Sequence, residues 1–260
     1  MKMKPKSRKE RIDYILEKLD RNGHIYVSNL AADLSVSEVT IRSDICMLEK
    51  IGVLRRVHGG AKQTSDLFFK KDIRRSLNEN KECKLAISRT AFKYIFEGAT
   101  IIIDDSSTCF YLAKEIRDKQ LRVTIITNSI YIANELLKST HSTVCLLGGV
   151  MSKYLGSTSG RVTVQELENI HADYCFISSN GVSWSTGVTV IDYQQMLVKK
   201  SMMKASAKKF LLVESKKFGV DYPFVVDSLS AFDQVVTDSL DDANVVATIE
   251  AGACVQLASH

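Results

Sequence analysis

The sequence predicts an α/β protein of two domains: a winged helix-turn-helix domain at residues 1–61, a linker at 62–80 and a larger α/β domain at 81–260. Three observations support this division. The chain of 260 residues exceeds the usual length of one domain. Residues 27–61 show two short helical patterns separated by a tight turn and followed by glycines and basic residues. From residue 81 onward, β-rich runs alternate with helical patterns.

The helix-turn-helix is predicted from the spacing of apolar residues. In a helix from Ser37 to Lys50, the side chains of Ile41, Ile45 and Leu48 form one apolar stripe that faces the core. The opposite face carries small side chains, two hydroxyls and one arginine, which suits the major groove of DNA. An ordinary helical hairpin with a solvated basic turn would show the same pattern, and this alternative stays open.

Two earlier helical patterns and a wing complete the small domain. Ser28 is expected to cap a helix that ends at Leu34, before a turn at Ser35-Val36. A first helix is expected over Ser7–Leu19. The alternating run Val53–Val57 before the glycines predicts a β-wing, whose basic side chains would lie along phosphates or in the minor groove.

Positive charge is concentrated where this DNA contact is expected. Residues 1–60 contain 12 Lys and Arg residues against 8 Asp and Glu residues, whereas the rest of the chain contains 23 and 22. Most of the formal net charge of +5 therefore lies in the first domain. Such an excess is the electrostatic footprint expected of a DNA-binding domain.

Cysteines, histidines and apolar runs argue against several other classes of protein. The six cysteines form no C-x-x-C pair, which favours free thiols in a reducing compartment over a disulfide framework. The scattered histidines suggest no zinc site, and no cofactor is expected. No run approaches the roughly 18 apolar residues of a membrane span, so no membrane partner is expected and the expected location is the cytoplasm.

The second domain is expected to be a largely parallel sheet with helices between its strands. The predicted strands are Thr100–Ile103, Val123–Thr127, Thr143–Leu147, Tyr174–Ser178, Phe210–Val213, Gln234–Thr237 and Val245–Ile249. The predicted helices are Lys84–Phe96, Thr108–Asp118, Tyr131–Lys138 and Gln194–Ala207. A linker helix is predicted before this domain by four apolar residues at near-helical spacing, namely Phe68, Phe69, Ile73 and Leu77.

Polar residues follow several of the predicted strands, at the sheet edge where α/β proteins bind ligands. We call the residues that directly follow a strand its exit. The first exit, residues 104–108, is a hydroxyl-rich loop that leads into a helix, and helix N-termini bind phosphate groups. Simple N-capping by Ser107 or Thr108 explains that loop equally well. A pocket for a polar small molecule better explains four polar exits together, at residues 104–108, 127–129, 148–149 and 179–181.

Several motifs of the first domain match a known family. They are Val36-Ser37-Glu38, Thr40-Ile41-Arg42, Asp44, Leu54, Arg56 and His58-Gly59-Gly60-Ala61, preceded by Arg8, Arg11, Ile12 and Ile15. With these motifs the domain resembles the N-terminal domain of DeoR-type bacterial transcriptional regulators. One departure is Ser43, where the family usually has a second arginine after Arg42. The residues expected to contact double-stranded operator DNA are Ser37, Thr40, Arg42, Arg55, Arg56 and His58.

Further matching blocks lie in the second domain, at Gly98, Thr100-Ile101, Ile103-Asp104, Ser107-Thr108, Leu112-Ala113, Ile126–Ser129, Leu147–Gly149, Gly160, Phe176-Ile177, Asn180-Gly181, Lys199, Ser215, Lys217-Phe218 and Thr237-Asp238. Residues 81 to about 240 thereby resemble the effector domain of the same family. That domain is related in fold to ribose-5-phosphate isomerases and usually responds to phosphorylated sugars. The chain departs from the family pattern at Ser106, Cys109, Glu214 and Lys216.

The resemblance implies a homo-oligomeric repressor of carbohydrate-metabolism genes, a dimer or tetramer, that a phosphorylated sugar releases from its operator. The implied effector-binding residues are Asp104, Ser106, Ser107, Thr108, Thr127, Asn128, Ser129, Gly148, Gly149, Asn180, Gly181, Lys199 and Lys217. Of these, the hydroxyls at 106–108 would cradle the phosphate, and Lys199 or Lys217 would neutralise its charge. Sugar hydroxyls would bind to Asp104, Asn128 and Asn180.

An enzyme is the main competing hypothesis. A sugar-phosphate isomerase with an accessory DNA-binding domain could use Asp104, Asp105 or Glu214 as a general base. Its DNA-binding domain would be idle, whereas a sensor needs the same polar pocket, so the expected protein is not an enzyme. A structural or interaction module is the third class, and failure to bind DNA at low salt would favour it.

Overall fold

The structure is a computed structural model that describes residues 8–50, 54–63 and 73–258. Its internal contacts divide the chain into two compact units, residues 1–70 and 71–260. The described elements of the first unit are α1 (Arg8–Asn22), β1 (His24–Tyr26), α2 (Val27–Leu34), α3 (Glu38–Lys50), β2 (Leu54–Val57) and β3 (Gly60–Gln63). The helix-turn-helix and the β-wing are therefore present as predicted.

The wing is part of a small antiparallel sheet in which β3 lies between β1 and β2. The strand β1 was not predicted because three residues are too few to show alternation. It also displaces the start of α2, since the Val27 N–H donates to Gly59 O (3.0 Å) and the helix follows the strand directly. The predicted N-cap at Ser28 is therefore wrong, and Tyr26 occupies that position without a side-chain bond.

The turn and the apolar stripe of the helix-turn-helix agree with the sequence pattern. Ser35 ends α2 in a left-handed backbone conformation with φ of 53°. Ile41, Ile45 and Leu48 are buried, each at most 1% exposed. The expected starts of the first helix and of the wing lie outside the described residues.

One buried carboxylate holds α3 against α1. Asp44 is 1% exposed, and its oxygens accept from Arg11 Nε (2.5 Å), Arg11 Nη2 (3.2 Å) and Arg8 Nε (3.0 Å). The hydrogen bond to Asp44 raises the pKa of Arg11 above its usual value. Because an unpaired buried charge is costly, these arginines make the burial of Asp44 possible.

The second unit begins with a short helix and continues with alternating strands and helices. Its described elements are α4 (Ile73–Asn78), α5 (Lys81–Phe92), β4 (Thr100–Ile103), α6 (Ser107–Asp118), β5 (Thr124–Thr127), α7 (Ile130–Leu136), β6 (Thr143–Leu146), β7 (Val150–Ser152), β8 (Ser157–Ser159), α8 (Arg161–Leu167), β9 (Ala172–Ile177), β10 (Gly181–Ser183), β11 (Gly187–Val190), α9 (Tyr193–Lys204), β12 (Ser206–Leu212), β13 (Phe224–Asp227), β14 (Gln234–Thr237), α10 (Asp242–Glu250) and β15 (Val255–Leu257).

Seven of these strands form one parallel sheet in the order β15-β14-β12-β9-β4-β5-β6. Every pairing between neighbours is parallel, so the carboxyl ends of all seven strands lie at one edge. The central strands are apolar runs, as expected of a parallel sheet covered on both faces. β10, β11 and β13 form a separate antiparallel sheet, and β7 pairs with β8 as a hairpin.

Aromatic side chains pack on the middle of the large sheet. The rings of Phe176 and Phe210, on neighbouring strands, lie 4.9 Å apart, and Tyr94 lies 5.0 Å from Phe210. Both phenylalanines are at most 3% exposed. This packing fixes the register of β9 against β12 and thereby positions the loops at their carboxyl ends.

Two predicted elements of this unit include residues that belong to an element of the other type. The run Val245–Ile249 is not a strand and lies inside α10, which Asp241 caps by accepting from Asn244 N (2.8 Å). Its β-branched side chains favoured a strand, but the last strand of the sheet is β15. The predicted helix Gln194–Ala207 ends at Lys204, and its final residues begin β12.

The segment predicted as a linker contains regular structure at both ends. β3 extends to Gln63, and α4 occupies Ile73–Asn78. Phe68 and Phe69, which helped to predict a linker helix, lie outside the described residues. Over the ranges that the structure describes, no helix is both long and apolar enough to cross a membrane.

Replacing Asp44 by alanine removes the anion that pairs with Arg8 and Arg11. We expect the first unit to lose about 2 kcal/mol of its opening free energy, measured by hydrogen exchange of the α1 and α3 amides. Glu38→Ala is the matched control, because its exposed pair with Arg42 is worth only about 0.3 kcal/mol. Equal losses in the two variants would contradict the role given to Asp44.

Candidate functional site

The carboxyl edge of the large sheet contains a buried ion pair. Asp104 follows β4, and the Lys199 ammonium on α9 contacts its carboxylate directly. The two residues are 1% and 4% exposed. The same carboxylate accepts from the backbone N–H groups of Ser106 (2.9 Å) and Ser178 (2.7 Å). Asp104 therefore joins the exits of β4 and β9 to α9.

This pairing keeps both groups charged. Burial would raise the pKa of Asp104, but the Lys199 charge and the hydrogen bonds to the carboxylate lower it below its usual value. Burial would lower the pKa of Lys199, but the charges of Asp104 and Asp105 raise it. The contribution of this ion pair to folding stability is thus fully present between the unfolded-state pKa values of Asp, about 3.9, and Lys, about 10.4. It is lost as pH falls through the folded pKa of Asp104 or rises through that of Lys199.

The second carboxylate of the loop, Asp105, fastens two further elements. Its Oδ2 accepts from Ser157 Oγ (2.6 Å) on β8 and from Gln195 Nε2 (3.0 Å) on α9, and its Oδ1 lies 3.8 Å from Lys199 Nζ. Ser157 and Gln195 were not predicted as site residues. They lie 52 and 90 positions from Asp105, and no local pattern connects residues so far apart.

Three buried polar atoms at this edge have no hydrogen-bond partner within the described part of the protein. They are Thr108 Oγ1, Asn128 Oδ1 and Ser179 Oγ, and their residues are at most 5% exposed. They follow β4, β5 and β9, which are adjacent in the sheet. Buried polar atoms are normally satisfied, since leaving one unpaired costs about 1–3 kcal/mol. These three atoms lie where the sequence predicts a polar pocket.

Two other hydroxyls of these loops cap helices. Ser106 Oγ accepts from Cys109 N (3.1 Å) at the start of α6, and Ser129 Oγ caps α7 in the same way (3.3 Å). The N-cap predicted at Ser107 or Thr108 is therefore wrong, because the helix already begins at Ser107. The cap one residue earlier leaves the Thr108 hydroxyl available for another partner.

A cluster of lysines surrounds Glu214, which follows β12. Its carboxylate lies 3.8 Å from Lys84 Nζ, 3.2 Å from Lys216 Nζ and 3.9 Å from Lys217 Nζ. Glu214 is 4% exposed and Lys84 is 1% exposed. Since three ammonium groups share one carboxylate, this part of the edge carries an excess of positive charge.

Lys217 points toward the same loops as the unpaired atoms. Its ammonium donates to Ser179 O (2.9 Å) and to Ser178 Oγ (3.4 Å). Burial lowers the pKa of Lys217 to about 8, although the charge of Glu214 opposes this shift. An anion beside Lys217 would restore the ammonium form.

Lys84 connects the edge to α4. Its ammonium donates to Ser76 O (2.6 Å) and Glu79 O at the carboxyl end of that helix, where the helix dipole favours a cation. Asn80 Nδ2 in turn donates to the Glu214 carboxylate (2.6 Å). The carboxyl end of α4 is therefore tied to the residues beside Lys217.

Five further predicted residues lie at the same edge and shape its backbone. The buried Thr127 accepts from the N–H two residues later (3.1 Å). Gly148 donates its N–H to a carboxylate of α8 (2.7 Å), and Gly149 has a φ of 134° that favours glycine. Asn180 Oδ1 accepts from the N–H after β11 (3.1 Å). Gly181 begins β10, where a Cβ would lie 2.1 Å from a backbone oxygen.

Three predicted DNA-contacting residues, at and just before the start of α3, make contacts within this segment. Ser37 Oγ accepts from Thr40 N (3.2 Å) and lies 2.8 Å from Thr40 Oγ1. Arg42 is exposed and pairs with Glu38 one turn earlier (2.7 Å). These contacts hold the polar groups of the first turns in place.

The predicted residues of the wing, Arg55, Arg56 and His58, are all exposed. Glu49 of α3 accepts from the Arg56 backbone N–H (2.9 Å) and also contacts its guanidinium. This pair raises the pKa of Arg56 and fixes the wing to α3. The exposed arginines of the wing are therefore held beside α3.

The cysteines of this protein are free thiols. Cys109 and Cys175 are buried, and burial raises the pKa of both. Within the described ranges, no group of three His, Cys, Asp or Glu side chains is arranged to hold a metal ion.

Comparison with known families accounts for both units. The DeoR C-terminal sensor domain matches residues 79–239, and the DeoR-like helix-turn-helix domain matches residues 11–66. The chain belongs to the DeoR family. This DeoR-family protein is a DNA-binding transcriptional regulator with a sensor domain, and the predicted fold class and family are confirmed.

Known proteins similar to this DeoR-family chain match it over most of their length. The HTH-type transcriptional regulator GolR of Listeria innocua is 34% identical, and the match covers 88% of this chain and 90% of that protein. The lactose phosphotransferase system repressor of Staphylococcus epidermidis is 32% identical, with 89% and 92% covered. Among solved structures, ribose 5-phosphate isomerase A of Methanocaldococcus jannaschii is 18% identical, with a TM-score of 0.39 over 54% of this chain and 55% of that chain.

Lys199→Met leaves the Asp104 carboxylate buried without its counter-ion. We expect the unfolding free energy of the sensor unit to fall by about 3–5 kcal/mol, measured in denaturant by the fluorescence of Trp184, the only tryptophan. Asp104→Asn added to the same chain should recover part of the loss, because no buried charge remains. Lys200→Met, at the exposed neighbouring position, is the control and should change stability by less than about 0.5 kcal/mol. A double variant with no recovery would contradict a functional pairing.

Proposed function

We propose that this DNA-binding regulator is a repressor of carbohydrate-metabolism genes, and that a phosphorylated sugar bound in the sensor unit releases it from its operator. The three unpaired atoms of Thr108, Asn128 and Ser179 carry this proposal. Two hydroxyls and one amide oxygen, which follow adjacent strands, suit a ligand with several hydroxyls, such as a sugar.

Charge supports the phosphate part of the ligand. Lys199 is neutralised by two carboxylates, whereas Lys217 belongs to a group of three lysines that share Glu214. The N-terminus of α6, a helix of 12 residues, adds backbone N–H groups and a favourable dipole beside Thr108. Of the two predicted lysines, Lys217 is therefore the one that we assign to the phosphate.

Release from DNA requires a difference between two states of the protein. A ligand shifts the equilibrium only by its difference in affinity for the DNA-bound and free arrangements, and coupling energies of about 1–3 kcal/mol are typical. We propose that the regulator acts as a dimer or tetramer, because paired helix-turn-helix domains bind two half-sites of an operator. The domains would span residues 1–61 and 81–260, joined by residues 62–80.

We propose that the sensor unit is not an isomerase. The Asp104 carboxylate is engaged by Lys199 and by two backbone N–H groups, and its pKa is lowered. Glu214 is engaged by Asn80 and the surrounding lysines. A general base works best with a pKa near the operating pH, so the lowered pKa of Asp104 makes that carboxylate poorly suited to proton abstraction.

Operator binding and release test the proposal directly. Purified protein should bind DNA from its own upstream region, and one member of a panel of sugar phosphates should weaken this binding at fixed salt by about 5- to 150-fold. Arg42→Ala should reduce the affinity for DNA about 5- to 150-fold, since a base or phosphate contact of arginine is worth about 1–3 kcal/mol. The same assay with DNA of unrelated sequence measures the non-specific affinity of the protein for DNA.

Arg75→Ala is the matched control, because Arg75 is an exposed arginine in a similar pair with Glu79 outside the DNA-binding helices. It should leave the affinity for DNA unchanged. Specific binding that no sugar phosphate alters would reject the proposed effector. Turnover of ribose 5-phosphate at an enzymatic rate, lost in Asp104→Asn, would reject the proposal of a pure sensor.

Lys217 gives the affinity for the effector a defined dependence on pH. Its pKa of about 8 in the free protein should rise when a phosphate binds beside it, since an anion favours the ammonium form. Lys217 is then protonated to a greater extent in the effector-bound protein than in the free protein. The affinity should fall as pH rises above about 8, by up to tenfold per pH unit.

Titration calorimetry between about pH 7 and 9.5 measures this dependence with the sugar phosphate that releases DNA. Lys217→Arg keeps its charge throughout and should show a flat profile. Lys216→Arg changes an exposed neighbour and should keep the slope of the unmodified protein. A slope that persists in Lys217→Arg would assign the titration to another group.

A further inference from the structure

The outward face of α3 is centred on an apolar side chain. The buried residues Ile41, Ile45 and Leu48 define the direction of the core. Successive side chains of a helix are rotated by 100° about its axis. The direction that points away from the core therefore passes between Val39 and Ser43, which lie one turn apart. Val39 is 73% exposed, and Ser43 is also exposed.

The residues first expected to face the bases lie to the sides of this direction. Thr40 is half-buried, and its hydroxyl lies 2.8 Å from Ser37 Oγ. The guanidinium of Arg42 is drawn back toward Glu38 (2.7 Å). Val39 and Ser43 therefore share the centre of the helix surface that a DNA groove would meet, and Val39 is the apolar side chain of the two.

The position of Val39 in α3 also suits base contact. It is the second residue of the helix, and recognition helices contact base edges with their N-terminal residues. The major groove presents polar groups at every base pair, and its apolar group is the C5 methyl of thymine. An exposed valine at this point offers no hydrogen bond and is complementary to that methyl group.

We infer that Val39 is a specificity-determining residue, which contacts the C5 methyl of a thymine in the operator. Loss of one buried methyl contact should weaken binding about fourfold. The inference rests on the DNA-binding function of the first unit and is independent of the effector. It adds a residue to the predicted DNA surface, which contained only polar and basic side chains.

Thymine-to-uracil replacement in the operator tests this contact, because deoxyuridine lacks only the methyl group. An operator is first selected from a random DNA pool with the full-length protein. Each thymine is then replaced singly, and the dissociation constant is measured at one fixed salt concentration. At one or more positions, uracil should weaken binding of the unmodified protein about fourfold.

Val39→Ala should bind the thymine operator about as weakly as the unmodified protein binds the uracil operator, and it should not distinguish the two. Alanine favours a helix more than valine does, so α3 should remain folded, as circular dichroism would verify. Val246→Ala, which changes a valine of α10 that is 53% exposed, should keep full discrimination between thymine and uracil.

Two results would overturn the inference. One is an unmodified protein that distinguishes thymine from uracil at no position of its selected operator. The other is a Val39→Ala variant that keeps every discrimination of the unmodified protein, which would assign the methyl contact to a different side chain.

Discussion

The structure at the carboxyl edge of the large sheet depends on the buried contact between Asp104 and Lys199. A parallel sheet brings seven strand ends to one edge, and the polar backbone of the loops there needs partners. Asp104 meets this need for two strand exits at once, and Lys199 supplies the opposite charge from α9. A buried charge pair of this kind is tolerated only when its remaining hydrogen-bonding capacity is used. The atoms left unpaired around it are therefore the informative ones, since the protein itself satisfies the rest.

The DNA-binding unit also contains a buried carboxylate that needs charged partners. Its buried carboxylate, Asp44, is neutralised by two arginines of α1, so a polar residue of α3 serves the fold and not the DNA. The wing is fixed by Arg56 and Glu49. Once these contacts are assigned, the surface of α3 that remains free is small and partly apolar. The contacts that stabilise the unit thereby determine which side chains DNA can meet.

Local patterns predicted the features of this protein that arise from local chemistry. The apolar stripe of α3 and the apolar runs of the parallel strands follow from spacing alone, and the polar residues after the strands predict a ligand site at the carboxyl edge of the sheet. The pairing of Asp104 with Lys199 spans 95 positions, so the sequence shows both residues but not their contact. Strands of three residues, such as β1 and β10, lack enough alternation to be recognised. Val245–Ile249 was mistaken for a strand because β-branched composition outweighed the capping aspartate before it.

Charge sharing at Glu214 offers a physical route from the ligand edge to α4. Glu214 is the counter-ion of Lys217 at the edge and of Lys84 at the carboxyl end of that helix. An anion bound to Lys217 would compete with Glu214 for that lysine. The Glu214 carboxylate would then interact more strongly with Lys84. Allosteric coupling requires contacts that differ between two states, and a carboxylate with two alternative partners meets this requirement. A change at Glu214 would therefore reach the capping of α4, through Lys84 and Asn80.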